Sequence, residues 1–294
     1  MFSPLIGRRS LCAMLALGAA PVMAQTTDSK FAAWLQGVRA DALRAGVDSG
    51  TADAALGSIE QLPKVLELAR NQPEFKMTFD QYLDVVVSAE RVAKGRTMLK
   101  ENRALVDRFA APVGIPSSVV MALWGIESKY GAHLGDFEVA PALATLAFNG
   151  FRASFFRSQL IATLKILSQR HVPLHEMKGS WAGAMGQCQF IPTTFLAYAA
   201  DGDGDGRFDI WKSKADVFAS TVNYLHRAGW RPGLGWGEEA DSSTAPRKGE
   251  RLVKPGGAGG PVYRTTENFR VILRWNQSDF FALAVGLLSD RIAA

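Results

Sequence analysis

One carboxylate in an apolar stretch constrains this chain more than any other feature. Between Pro116 and Gly131, Glu127 stands three and four positions from Trp124, Leu123 and Tyr130, and seven from Val120. Helical spacing therefore puts its carboxyl on an apolar, aromatic face. Pro116 suits a first helical position, Ser117 and Ser118 suit the first turn, and Gly131 suits the residue just past the end. Burial on such a face disfavours ionisation and raises a carboxyl pKa. An acid still protonated near neutral pH can protonate a departing oxygen, as glycosidic bond cleavage requires. On position alone, a structural carboxylate paired with Lys129 or a distant arginine is the better-supported reading, because such groups outnumber catalytic ones.

The elements around this segment read as helices. Phe31, Trp34, Leu35 and Val38 recur at helical spacing, as do Val65, Leu66 and Leu68 before the break at Pro73. A further helical pattern runs from residue 79 to about residue 100. The run 111–116 is a turn-rich hinge into a second helical block that reaches about Trp230. Residues 233–261 are polar and glycine-rich and read as loop or hairpin. Residues 262–275 are the one good strand candidate, with Phe269, Val271 and Leu273 on one face and Arg270, Ile272 and Arg274 on the other. Ser278 caps a final helix over 279–292. The expected fold is mainly α, with a small β element near the C-terminus.

The N-terminus has a different character. Arg8 and Arg9 precede an apolar run, and Pro21-Val22-Met23-Ala24 offers a small-residue cleavage site, so residues 1–24 read as a secretory signal peptide. Arg8-Arg9-Ser10-Leu11 loosely resembles a twin-arginine signal, and a general secretory route fits as well. No later segment is apolar for long enough to span a membrane. Loss of the leader removes two arginines and no acids, lowering the formal charge from +5 to +3. That mild excess suits an anionic wall polymer without requiring one. It also leaves Cys188 as the single cysteine, so the fold rests on its core rather than on an internal disulfide.

Two loops carry further chemistry. Residues 179–186 combine three glycines with three small residues, which lets backbone approach another surface closely, whether a sugar chain or a neighbouring helix. Asp201-Gly202-Asp203-Gly204-Asp205-Gly206-Arg207 matches the opening of an EF-hand-like calcium loop, with carboxylates at positions 1, 3 and 5 and the Arg207 carbonyl at position 7. Lys212 at position 12 cannot close such a site.

Trp124-Gly125-Ile126-Glu127-Ser128-Lys129-Tyr130-Gly131 resembles the catalytic motif of lysozyme-like lytic transglycosylases, in particular the lytic murein transglycosylase B family. Ala144-Thr145-Leu146-Ala147, Phe155-Phe156-Arg157-Ser158-Gln159-Leu160 and Lys178-Gly179-Ser180-Trp181-Ala182-Gly183-Ala184-Met185-Gly186 continue the match. So do Gln189-Phe190-Ile191-Pro192-Thr193-Thr194-Phe195 and Arg274-Trp275-Asn276-Gln277-Ser278. The resemblance is dense from about residue 123 to residue 230 and looser before residue 105.

It implies an N-terminal helical region at 25–110 and a lysozyme-like helical core at 111–294 that includes an EF-hand-like loop at 201–216. The implied activity is cleavage of the β-1,4 bond between N-acetylmuramic acid and N-acetylglucosamine, leaving 1,6-anhydromuramic acid ends. Glu127 would be the catalytic acid and then base. Ser180, Gln189, Tyr198, Tyr224, Trp275 and Asn276 would line the glycan groove, with Trp275 where relatives often carry tyrosine. Asp201, Asp203, Asp205, Arg207 and Asp216 would hold a structural calcium ion, and no cofactor would serve catalysis. Peptidoglycan strands are the expected partner, together with other cell-wall enzymes and without nucleic acid. The expected protein is a periplasmic monomer. Two rivals stay open: a muramidase that uses water, and a non-catalytic, calcium-stabilised wall-binding protein.

Overall fold

The computed structural model describes residues 20–71, 77–241, 243, 245–257 and 259–294, with side chains from residue 29 onward. The predicted signal peptide lies mostly outside these residues.

The chain is mainly helical, as expected. Helix α1 (Ala20–Arg44) leads into three short helices, α2 (Ser49–Leu56), α3 (Pro63–Asn71) and α4 (Phe79–Val86), and then the long α5 (Ala89–Ala110). Residues 79–100, expected as one helix, are thus split. The Ser88 hydroxyl accepts from Arg91 N and starts a new helix, while Thr78 and Gln81 form a capping box at the head of α4. Residues 111–116 form a tight turn in which Gly114 is left-handed (φ 63°). It bends the chain by 117° into α6 (Ser117–Ser128).

Helix α6 is the axis of the molecule, and its residues 117–125 are all buried. It packs against α5 and α12 (Asp279–Ala293). The Ser118 and Ser289 hydroxyls meet at 2.8 Å, and Arg96 Nε donates to the Arg291 carbonyl at 2.9 Å. Helices α7 (Val139–Phe148), α8 (Ala153–Ser168), α9 (Pro192–Tyr198) and α10 (Lys214–Arg227) complete the body. One hydrophobic cluster runs from Phe31 to Ile292, so the helices before and after residue 110 share a core.

Strand β1 (Phe137–Glu138) pairs antiparallel with β2 (Lys178–Gly179). A three-stranded antiparallel sheet has the order β3 (Gly237–Ala240), β5 (Val262–Thr265), β4 (Arg251–Val253), with β3 and β4 drawn from the passage read as loop or hairpin. The expected strand over 262–275 is correct only for its first four residues. Thr266 caps the next segment, its hydroxyl accepting from Asn268 N, and residues 267–275 form helix α11 (Glu267–Trp275). The final helix begins at Ser278, which accepts from Phe281 N as expected.

Candidate active site

Glu127 occupies the last turn of α6. Pro116 is the cap of that helix rather than its first residue, and Lys129, Tyr130 and Gly131 all lie in the left-handed region (φ 53°, 60° and 80°). Tyr130 N bonds back to the Trp124 carbonyl, and the Ser128 hydroxyl accepts from Gly131 N. Left-handed backbone costs a non-glycine residue free energy that the surroundings must offset. Here the Tyr130 ring packs edge-on to Trp124, with centroids 5.6 Å apart, and its hydroxyl donates to the Arg91 carbonyl. The turn is thereby fixed immediately after the carboxylate.

The Glu127 side chain is half-buried in a mostly apolar wall. Burial pushes its pKa from 4.5 up to about 8, and a hydrogen bond from Trp275 acts in the opposite sense. That bond runs from Trp275 Nε1 to Glu127 Oε1 at 2.8 Å. No other carboxylate among the described residues contributes to the shift, including Asp136 and Glu138.

The expected groove residues divide into two groups. Trp275 packs edge-on to Tyr224 (4.8 Å) and against Phe190 (5.1 Å), and Tyr224 packs against Tyr198 (4.7 Å). This aromatic row leads away from Glu127. Tyr224 is buried and its hydroxyl donates to the Arg274 carbonyl at 2.5 Å, so its ring backs Trp275. Tyr198 is half-buried, with Arg227 over its ring. Asn276 is exposed at the C-terminal cap of α11.

Ser180 and Gln189 belong to the loop group. Ser180 Oγ accepts from Ala184 N, and Gln189 Nε2 donates to the Leu134 and Gly186 carbonyls. Isolated bridges pair Met185 with both Gly179 and Phe190. The glycines of this loop meet protein, not open groove. A Cβ at Gly183 would stand 2.5 Å from Leu143 Cδ2, and one at Gly186 would stand 2.7 Å from the Ile210 carbonyl oxygen. Tight internal packing therefore accounts for both positions.

Sequence reasoning missed Gln187. Its Oε1 accepts from Trp124 Nε1 at 2.8 Å and its Nε2 donates to the Trp211 carbonyl at 2.9 Å, tying α6 to the acidic loop. Both partners are distant in sequence and leave no local signal. Cys188 is buried beside Thr221, and burial pushes its thiol up to about 12, which excludes it as a thiolate nucleophile near neutral pH.

In the acidic loop, carboxylate oxygens of Asp201, Asp203 and Asp216 lie within 4.8 Å of one another. Two oxygens on one calcium ion, each at about 2.3–2.6 Å, fall within that spread, so the donor set fits. Asp216 is buried and accepts from Gly202 N and Asp209 N. Burial raises its pKa; those two N–H groups oppose the rise, and the neighbouring Asp203 and Asp201 charges add to it. Asp205 stands outside the trio and accepts from Arg207 N.

A family model described as the transglycosylase SLT domain matches residues 30–251 and 238–290. Membrane-bound lytic murein transglycosylase B from Escherichia coli (strain K12) is 26% identical over 286 residues, covering 84% of this chain and 79% of that one. SltB3 from Pseudomonas aeruginosa, solved in complex with NAG-NAM-pentapeptide and with NAG-anhNAM-pentapeptide, superposes with a TM-score of 0.85. It is 38% identical, over 90% of this chain and 80% of its own. Escherichia coli Slt35, solved in complex with calcium, has a TM-score of 0.77 and 25% identity over 88% of this chain and 92% of its own.

Proposed function

This chain belongs to the transglycosylase SLT domain family and is a peptidoglycan lytic transglycosylase, for which we propose Glu127 as the single catalytic carboxylate. The observation that carries this role is the raised pKa of Glu127 in its apolar wall, with one hydrogen-bond donor, Trp275, on the carboxylate.

The reaction is the one the family carries out, and Glu127 fits its two proton transfers. Protonated Glu127 gives its proton to the oxygen between N-acetylmuramic acid and N-acetylglucosamine as the glycosidic bond breaks. No nucleophilic role is assigned to a second carboxylate among the described residues; the substrate's own N-acetyl group supports the positive charge that develops at the anomeric carbon. The Trp275 indole stabilises the carboxylate left on Glu127. That carboxylate then takes the proton of the muramic acid 6-hydroxyl as its oxygen closes onto the anomeric carbon. Glu127 is again protonated and no water is consumed. Trp275, Tyr198 and Asn276 offer the groove its stacking faces and amide, while Ser180 and Gln189 offer side-chain oxygens.

A calcium ion held by Asp201, Asp203 and Asp216 would join the acidic loop to the start of α10 and neutralise three close carboxylates. It would supply stability rather than chemistry. Export to the periplasm, through the leader ending near Ala24, places the enzyme with its substrate. Among the described residues no single helix is long and apolar enough to cross a membrane.

The test is mass analysis of digested sacculi. Transglycosylase products carry anhydro ends lighter by one water than those of a muramidase. Hydrolysed ends alone would overturn this mechanism, and an intact sacculus would overturn the activity.

A further inference from the structure

The loop 185–190 reaches both partners of the Glu127–Trp275 hydrogen bond. Two backbone bonds close it, from Met185 N to the Phe190 carbonyl at 2.9 Å and from Phe190 N to the Met185 carbonyl at 3.1 Å. Gly186 and Gln189 turn it through the left-handed region (φ 62° and 49°). We propose that this loop sets the acid against its donor, with Gln187 as a positioning residue for Glu127, an inference that rests on the reading of Glu127 as the catalytic carboxylate.

One arm of the loop holds the end of α6. The Gln187 side chain is buried, and its Oε1 accepts from Trp124 Nε1 at 2.8 Å. Trp124 stands one helical turn before Glu127. Its carbonyl accepts from Tyr130 N and from the Ser128 hydroxyl, so it also closes the turn that follows the carboxylate. The Gln187 amide lies against the backbone of Gly131, where a Cβ would come 2.5 Å from Oε1. Gln187 is itself anchored from behind: its backbone N donates to the Ile210 carbonyl at 2.8 Å, and Nε2 donates to the Trp211 carbonyl at 2.9 Å. It thus grips α6 and its turn both before and after Glu127, and its influence on the acid runs through Trp124 and Gly131.

The other arm backs the donor. Phe190 packs against the Trp275 ring, with centroids 5.1 Å apart. The Met185–Phe190 bridge joins the two arms, so one closed loop sets the separation of the Glu127 carboxyl and the Trp275 indole. Catalysis is steeply sensitive to such placement, and an error of about 1 Å can cost about 100-fold in rate.

The test replaces Gln187 with Met in the full chain, which keeps the length of the side chain and removes its acceptor and donor. With glycan strands as substrate, kcat should fall about tenfold and KM should stay within about twofold, because both ends of the amide are spent inside the protein. Gln187→Glu should recover part of the rate at pH 5, where a buried glutamic acid is protonated and can accept from Trp124 and donate to the Trp211 carbonyl. A second readout needs no substrate. The indole N–H resonance of Trp275, identified by its loss in Trp275→Phe, should shift as Glu127 ionises, and Gln187→Met should at least halve that shift. Circular dichroism verifies the fold of each variant. Should Gln187→Met not fold, Trp124→Phe breaks the same bond from the other side and decides by the same two measurements. An unchanged kcat, a loss that appears in KM, or an undiminished indole shift would overturn the proposal. A native chain that cuts no strands would overturn the transglycosylase reading instead, and the indole titration would still decide the role of Gln187.

Discussion

The indole N–H of Trp275 donates to Glu127 Oε1 across 148 residues of sequence, joining the end of α11 to the end of α6. The two elements set the acid against each other: the apolar wall favours the protonated form, and the indole favours the ionised one. Catalysis needs both forms in turn, so the pair brackets the proton transfer from either side.

Trp275→Phe keeps the ring and removes the donor. Burial then acts unopposed and the pKa of Glu127 rises above its present value of about 8. The alkaline limb of kcat should move to higher pH, and the maximal rate should fall because the carboxylate formed midway loses its donor. A pH–rate series from 5 to 10 reads both effects, and an unmoved limb would argue against the bond.

Glu127→Gln should lower strand cleavage at least about 100-fold while wall binding persists. It should also change stability in a pH-dependent way. The folded protein holds a proton that the unfolded chain releases above pH 4.5, so the native chain loses stability as pH rises from 4.5 and levels off near 8. Between the two pKa values the slope approaches about 1.4 kcal/mol per pH unit, and the open edge of Glu127 narrows the pH span over which it acts. The glutamine variant carries no such proton. Urea unfolding at pH 4 should give similar midpoints for both proteins, and at pH 9 the variant should be the more stable.

Calcium should raise the melting temperature of the native chain, and a chelator should lower it. The shift follows the ratio of free ion to dissociation constant, about 2.7 kcal/mol at a hundredfold excess. Asp201→Asn should weaken that response while sparing the buried Asp216 contacts to Gly202 and Asp209. Calorimetric scans with and without chelator decide it; identical traces would remove the ion from the account.

Gly186→Ala should destabilise the fold by about 2 kcal/mol, since the residue has φ 62° and its new methyl would meet the Ile210 carbonyl. Denaturant titration measures it. Lost binding without lost stability would instead return this glycine to the sugar groove.

The parts legible in the sequence were those with short-range causes. Glu127 and its aromatic neighbours lie within one helical turn, the aspartate register of 201–205 is contiguous, and Ser278 caps the helix that directly follows it. The split of residues 79–100 was also local, but the Ser88 cap is a single hydroxyl inside an otherwise continuous helical pattern. Residues 262–275 misled for a different reason. Polar and apolar side chains alternate there, yet Phe269, Ile272 and Trp275 are also spaced for a helix, and the Thr266 hydroxyl bond to Asn268 N selects the latter. The contacts of Glu127 with Trp275, and of Gln187 with Trp124 and Trp211, join residues far apart in sequence and depend on the assembled core.

The packing of α5 against α12 bears on how the chain is made. Helix α5 emerges from the ribosome early, while α12 follows every other described helix. Until α12 arrives, the buried face of α6 stands uncovered, the Ser118 hydroxyl lacks Ser289 and Arg96 lacks the Arg291 carbonyl. A nascent chain therefore cannot complete the packing of α5 and α6 before its last helix arrives. On the export route proposed above this delay is useful, because a chain that has not yet closed is still one that can be threaded.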